Sequence, residues 1–236
     1  MQRVSAMIPT LQERDVGREY LDQPTLDAVE LRRNLREMAM LNRLPGGVGA
    51  SRHAIEWLLD GAKATLVLDV GTGGGDLPAA LVRHHTARAL QVLACDLRPE
   101  VLAYAERRLA GIDRVQLLEA DARRLPLADE SVDVAHASLL VHHLDPPDAV
   151  RALGEMRRVA RRGVVVNDLR RGRLAYAATA ITVLGLTRGR YTRYDGLLSA
   201  RRAYTLAELD ELAASAGLRR VRRSAPFLPR VVTVYR

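Results

Sequence analysis

Two carboxylates and a run of glycines crowd one short stretch, Asp69-Val70-Gly71-Thr72-Gly73-Gly74-Gly75-Asp76. Glycines here let the backbone turn left-handed and let a ligand approach bare N–H groups at a helix N-terminus. The acids narrow the ligand. A dinucleotide fingerprint, G-x-G-x-x-G, wants its third glycine where this chain has Asp76, and usually keeps an apolar residue where it has Asp69. A pyrophosphate would be repelled by this pair, whereas an ammonium or sulfonium group would be attracted. The plainer alternative is a glycine turn that only packs a helix on a strand.

The elements that must hold this stretch follow from patterning. Thr65 to Val70 is β-branched and apolar, short enough for a buried parallel strand. Leu77–Val82 then opens a helix, with Pro78 where its missing N–H costs little. Upstream, residues 1–24 are polar and weakly patterned and predict irregular chain. Asp27 and Glu30 form a capping pair for a helix Ala28–Leu41, stopped by Pro45-Gly46-Gly47. A second helix covers about Ser51 to Leu59, with Gly61 as its C′ residue. Downstream, strands Gln91–Cys95, Val115–Ala120, Val132–Ala137 and Gly163–Asn167 accompany helices Glu100–Ala110 and Asp148–Ala160. Strands separated by helices imply a doubly wound parallel sheet with ligands outside the strand C-termini. Alternation pauses after Asp168, where the apolar stretch Leu174–Leu186 is flanked by Arg170, Arg171, Arg173, Arg188, Arg190 and Arg193. It resumes with the capping box Thr205–Glu208, a helix Ala207–Ala216 ended by Gly217, and strands near Leu218–Arg223 and Val231–Tyr235.

Composition bounds the function. A chain of 236 residues predicts one domain with additions. No apolar run reaches bilayer-spanning length, and Met1–Ser5 leads into no signal-peptide core. Cys95 is the single cysteine, which excludes an internal disulfide and fits a reducing cytosol; its place at a strand end predicts a buried, inert thiol. The net charge of +8 invites a nucleic-acid reading. Against it, Lys63 is the only lysine, the arginines spread along the whole chain, and one Phe and one Trp leave few stacking platforms beside seven Tyr.

The glycine stretch is similar to motif I, D/E-x-G-x-G-x-G, of the class I S-adenosylmethionine-dependent methyltransferases. A second segment strengthens this. Leu125-Pro126-Leu127-Ala128-Asp129-Glu130-Ser131-Val132-Asp133-Val134, followed by His142-His143-Leu144-Asp145, resembles the same family's L-P-[apolar]-x-[DN]-x-S-[apolar]-D-[apolar] pattern with its trailing H-H-[apolar]-x-D. The resemblance covers roughly residues 60–170 and leans toward the enzymes of ubiquinone and menaquinone biosynthesis. The N-terminal helices and the Arg-flanked segment depart from that group, so the acceptor does not carry over.

The resemblance implies a site. Asp69, Gly71, Thr72, Gly73 and Asp76 would hold the methionine end of S-adenosylmethionine, with Ser138 beside them. Asp96 and Leu97 would take the ribose and adenine, and Asp121 and Ala122 the adenine edge. A carboxylate in the place of Asp96 would equally suit a nicotinamide enzyme. A hydroxyl acceptor gains from a base, and the family favours His143 over His142 as the histidine facing the cleft, with Asp168 ranked below them. Local packing of one or both histidines is the alternative. His136 reads as structural, His53, His84 and His85 as lying on helices away from the mouth, and no spacing suggests a metal site.

The fold expected is therefore α/β: a Rossmann-like, doubly wound, seven-stranded sheet, mostly parallel with one antiparallel strand, plus N-terminal helices and a helical lid insertion. Residues 1–60 would be a helical extension, and 61–236 the methyltransferase domain with its lid at about 169–203. One face of Leu174–Leu186 would close over the sulfonium and imply a hydrophobic acceptor. That segment could instead be an edge helix, or an interfacial helix giving peripheral membrane contact. The expected activity is methyl transfer to a hydrophobic small molecule, most plausibly at a hydroxyl. A non-catalytic binding module and a nicotinamide-dependent oxidoreductase are the rivals. Oligomeric state stays open.

Overall fold

A computed structural model describes residues 11–60, 64–84, 89–224 and 229–236. The N-terminal helices are α1 (Ala28–Leu41) and α2 (Val48–Leu58). The alternating part runs β1 (Ala64–Val70), α3 (Asp76–His84), β2 (Ala89–Asp96), α4 (Pro99–Leu109), β3 (Val115–Glu119), β4 (Val132–Ser138), α5 (Pro146–Val159) and β5 (Ala160–Leu169). Then come α6 (Arg173–Leu186), α7 (Arg190–Arg202), α8 (Leu206–Ser215), β6 (Arg220–Arg223) and β7 (Arg230–Tyr235). Lys63, His85 and the helix end expected at Gly61 lie outside the described residues.

Local signals account for several boundaries. Asp27 caps α1 by accepting from the amides of Val29 and Glu30. Thr205 and Glu208 form the reciprocal capping box of α8. The sheet has seven strands in the order β3-β2-β1-β4-β5-β7-β6. Strands β1 to β5 pair in parallel, and β7 runs antiparallel to both β5 and β6. The expected fold is the one observed. The order reverses between β1 and β4, which opens a crevice at their C-terminal ends.

Alternation along the strands feeds two cores. Leu68, Val70, Ala135, Ala137, Val164 and Val166 pack with Leu153 and Met156 of α5 and Leu209 of α8. Val67, Val134 and Val165 face the other way, against Ile55 and Leu58 of α2 and Leu77 and Leu81 of α3. Cys95 is fully buried, and burial pushes its thiol up to about 12, the inert state expected.

Three features depart from the expectation. Strand β5 runs on to Leu169, so Asp168 sits within it, because β7 pairs along it as far as Leu169 and Arg230. Residues 190–202 form α7, which has no apolar stripe of its own. Its buried positions, Tyr191, Thr192, Asp195, Leu198 and Ser199, mix polar with apolar residues, and Asp195 accepts from the amides of Tyr20 and Leu21. Finally, the apolar face of α6 expected to close over the site points outward, with Leu174 72 %, Ile181 75 % and Leu184 47 % exposed. Val183 docks instead on Gly196 of α7, where an added Cβ would stand 3.0 Å away. No helix among the described residues is long and apolar enough to cross a membrane.

Arg171 joins the two ends of this helical insertion. Its buried guanidinium donates to the carbonyl of Ala203 at 2.7 Å, to that of Leu11 at 3.2 Å and to Glu208 Oε1 at 2.6 Å. Burial raises the Glu208 carboxyl, but Arg171 and the Thr205 amide hold it below its ordinary value. Arg171→Leu should therefore cost about 2–3 kcal/mol of stability in urea denaturation at neutral pH. The wild-type contribution is complete above the ordinary carboxylate pKa and is lost as pH falls through the lowered one. The variant should accordingly lose less stability on acidification; an unchanged midpoint at neutral pH would remove Arg171 from this role.

Candidate active site

Three adjacent strands carry their core-facing rows from an apolar to a polar residue at the C-terminal end: Val67 to Asp69, Val134 to His136 and Val165 to Asn167. Asp69 Oδ1 lies 2.7 Å from His136 Nδ1, and His136 Nε2 lies 2.9 Å from Ser51 Oγ on α2. Asn167 Nδ2 donates to the same Ser51 oxygen at 2.8 Å and to the Gly46 carbonyl at 2.9 Å. The second oxygen of Asp69 accepts from Thr72 Oγ1 at 2.7 Å. His136 is thus structural, as expected, and Asp69 shapes the glycine turn from inside.

In that turn Gly71, Gly73 and Gly75 have φ of +67°, +55° and +72°. A Cβ on Gly73 would meet nothing within 4 Å, so bare backbone there faces open space. Asp96, ending β2, accepts from the Gly73 amide at 3.1 Å and the Arg98 amide at 3.1 Å. Burial raises its pKa. Leu97, Ala122 and Ser138 line the same cavity.

The acids expected to attract a cation together are separated by their partners. Asp76 is paired with Arg108 and accepts from Asn42 Nδ2 at 2.8 Å. Asp121 is gripped by the guanidinium and amide of Arg123, which lower its pKa. Asp69 faces a histidine. Of this set, Asp96 alone meets no side-chain cation or histidine within the described residues.

The other end of the cavity is a polar cluster. His142 is buried; its Nδ1 stands 2.6 Å from Asp168 Oδ1, while its amide donates to Asp168 Oδ2 at 3.1 Å. His142 holds the Asp168 carboxyl low against the opposing effect of burial. His143 Nδ1 stands 2.9 Å from Asp22 Oδ1. Burial would lower the His143 pKa, but Glu19 and Asp22 raise it to about 9. The surrounding carboxylates thus favour the protonated imidazole at His143, unlike a solvent-exposed histidine.

Sequence patterning missed the residues that complete this cluster. Glu19 is 1 % exposed, and Arg202 reaches Asp22 and donates to the His143 carbonyl at 2.7 Å. Arg14 donates to the carbonyls of His142 at 2.7 Å and Leu144 at 3.0 Å, which fixes the N-terminal segment over β4's end. Arg230, also missed, donates to Asn42 Oδ1 at 2.7 Å and leaves Nη1 without a partner in the described structure. Glu19 and Asp22 read as one more acidic pair in a polar stretch, and no local signal marks them.

The cavity joining these ends measures about 1190 Å³ and carries apolar walls from Leu35, Met38, Leu41, Val48, Leu169 and Val183. Sites for one drug-sized ligand occupy about 300–1,000 Å³, so there is room for a cofactor and an acceptor together.

Comparison with known proteins agrees with this arrangement. Residues 67–163 match the family model described as a methyltransferase domain. The malonyl-[acyl-carrier protein] O-methyltransferase of Pectobacterium atrosepticum is 41% identical over 100 residues, covering 42% of this chain and 36% of that protein. The demethylmenaquinone methyltransferase of Clavibacter sepedonicus is 36% identical over 97 residues, 41% of this chain and 37% of that protein. The chain thus spans little more than a third of either curated relative. Among solved structures, a SAM-dependent methyltransferase from Aquifex aeolicus superposes with a TM-score of 0.61 at 20% identity, covering 89% of this chain and 98% of the other. Human N-acetylserotonin methyltransferase gives 0.65 at 16%, covering 89% and 56%. At these identities the structural likeness establishes the fold, and the matched domain adds the motifs carried on it. Sheet order and structural likeness thus give the chain the fold of these methyltransferases, and residues 67–163, which include the glycine turn, are similar to a methyltransferase domain.

Proposed function

We propose that the protein transfers a methyl group from S-adenosylmethionine to a hydroxyl oxygen of a hydrophobic small molecule. The observation that carries this reading is the shared cavity, which has a nucleoside-type end at Asp96 and a polar end at His142 and His143, with apolar walls between. One of the relatives is an O-methyltransferase, which favours oxygen as the acceptor atom.

The donor set fits the cofactor. Asp96 retains acceptor capacity for a ribose diol, and the open backbone at Gly73 gives room for close approach. In this reading Asp96 and Leu97 hold the ribose and adenine, and Asp121 and Ala122 flank the adenine edge. Asp69, Gly71, Thr72, Gly73, Asp76 and Ser138 surround the methionine end. Asp69 and Asp76 act there mainly by shaping the turn, since their oxygens already have partners. Arg230, with a free Nη1 two hydrogen bonds from Asp76 through Asn42, is available to the cofactor carboxylate.

When bound, the cofactor would supply a sulfonium-activated methyl carbon to the acceptor oxygen, whose proton would leave to solvent water, with S-adenosylhomocysteine as the leaving group. The protein's work is alignment and exclusion of water. His142 and His143 present the polar end against which an acceptor oxygen is set, and Asp168 is a positioning residue acting through His142. Residues 11–60 and the 169–203 insertion serve as the cover that excludes water. The apolar walls make shape and area, rather than many hydrogen bonds, the source of acceptor selectivity.

Calorimetry should detect S-adenosylhomocysteine binding in the micromolar range, on the order of −8 kcal/mol, and no comparable binding of NAD or NADP. Asp96→Ala should weaken it by about 1.5–3 kcal/mol in a folded protein. The reverse preference, or an unchanged affinity in the variant, would overturn the cofactor placement.

Turnover is to be read with a panel of phenolic and aliphatic hydroxyl compounds by the mass gain of one methyl group. His142→Ala and His143→Ala should each lower it by about 10²-fold while leaving S-adenosylhomocysteine affinity nearly unchanged. Methylation confined to hydrophilic, strongly charged acceptors would sink the reading of the apolar walls.

A further inference from the structure

Beyond the methyltransferase reading lies a cluster whose geometry that reading does not explain. Glu19 enters the cavity from the N-terminal segment with both oxygens directed at the histidine pair. Its Oε1 stands 3.9 Å from His142 Nε2, and its Oε2 3.7 Å from His143 Nε2. These separations are too long for hydrogen bonds. Oε1 is buried and has no hydrogen-bond partner, an arrangement that ordinarily costs a protein stability.

His142 Nδ1 is held by Asp168 at 2.6 Å and His143 Nδ1 by Asp22 at 2.9 Å. Each imidazole is therefore oriented by a carboxylate on one nitrogen and presents the other inward, the arrangement that metal-ligating histidines adopt. One ligand atom from each of Glu19, His142 and His143 lies within 4.8 Å of the others. Ligands about 2.0–2.1 Å from a tetrahedral zinc ion stand about 3.4 Å apart; the two separations from Glu19, 3.9 and 3.7 Å, are already close to that, and the three ligand atoms would draw together on the ion.

We propose that Glu19, His142 and His143 bind a divalent transition-metal ion of the zinc class at the acceptor end of the cavity. The charge around the site favours a cation. Asp22, Asp168 and Asp195 accompany Glu19, against Arg202, which lies 3.5 Å from Glu19 Oε1 and is itself paired with Asp22, and Arg230, which acts on Asp168; the ion takes the place of the His143 proton, which leaves to solvent. Two imidazoles and one carboxylate suit zinc, cobalt or iron(II) better than magnesium or calcium, which prefer all-oxygen sets. Three protein ligands leave a position open toward the cavity. An acceptor hydroxyl bound there becomes more acidic: its proton leaves to solvent water and its oxygen keeps the electron pair. This catalytic use rests on the proposed function; the binding of the ion does not.

The test uses the untagged full chain, stripped with a chelator and held without cofactor or acceptor. ZnCl₂ is titrated by calorimetry and CoCl₂ by visible absorption. One ion should bind per chain, with a cobalt spectrum typical of nitrogen and oxygen ligands at low coordination number, and zinc should raise the thermal midpoint. Glu19→Gln, close to isosteric, should abolish the site and the thermal shift, as should His142→Ala. Asp22→Asn and Asp168→Asn should weaken binding by about 10–100-fold. His53→Ala, on the exposed side of α2, should change nothing. Absence of stoichiometric binding to the wild type, or undiminished binding by folded Glu19→Gln, would overturn the proposal. Because ions are counted rather than methyl groups, methylation without ion binding sinks only this inference. Ion binding without methylation sinks only the proposed function.

Discussion

A carboxylate taken out of water must be met by hydrogen bonds or charge, and Asp69 is buried among three strands. Its partners organise much of the molecule. His136 from β4 faces one oxygen and Thr72 caps the other, so the conformation of the glycine turn and the spacing of β1 against β4 are set together. The far side of the His136 ring reaches Ser51, and Asn167 reaches Ser51 and the Gly46 carbonyl. The start of α2 and the turn before it are thereby tied to the strand ends. The whole row lies on the face where apolar residues already pack α2 against the sheet. Packing alone would tolerate small slips of α2; a buried polar row that must stay satisfied does not.

A second constraint acts through arginine. Much of the positive charge is spent on backbone carbonyls. Arg14 serves His142, Leu144 and Arg202; Arg98 serves Gln23; Arg158 serves Leu125 and Leu127; Arg171 serves Ala203 and Leu11. A guanidinium carries five donors in a planar fork and can satisfy several loop carbonyls at once. This use spreads arginine along the chain and holds otherwise irregular segments over the cavity. The N-terminal segment is the clearest case, since little apolar surface fixes it and Arg14, Arg202 and Asp195 do.

The cavity consequently has two electrostatically different ends. At the Asp96 end, Asp69, Asp76 and Asp121 are matched by His136, Arg108 and Arg123, whereas Asp96 meets only backbone amides among the described residues. At the His142–His143 end, Glu19 and Asp22 raise the His143 pKa while Arg202 lowers it. Sheet order sets which strand ends meet; the arginine-clamped cover decides what chemistry meets them there.

What the chain's sequence determined by itself is what short-range physics decides. The cap of α1 at Asp27, the capping box of α8, the buried run of β1 and the left-handed glycines of the turn all depend on residues within a few positions. They were legible for that reason, and with them the sheet and the strand-end residues Asp69, Asp96 and Ser138. Alternation of elements carried the topology, because parallel strands with helical crossovers have few ways to pack. Only the tertiary structure decided the charge state of His143, the pairing of Asp76 with Arg108, the outward face of α6 and the arrival of Glu19 beside His142. Each of these depends on groups brought together from distant parts of the chain, as when Arg14 and Arg202 carry residues 19–22 onto the end of β4. Hydrophobic periodicity records which side of an element is buried. It carries no record of which charged group will stand opposite, and at this site that neighbour sets the chemistry.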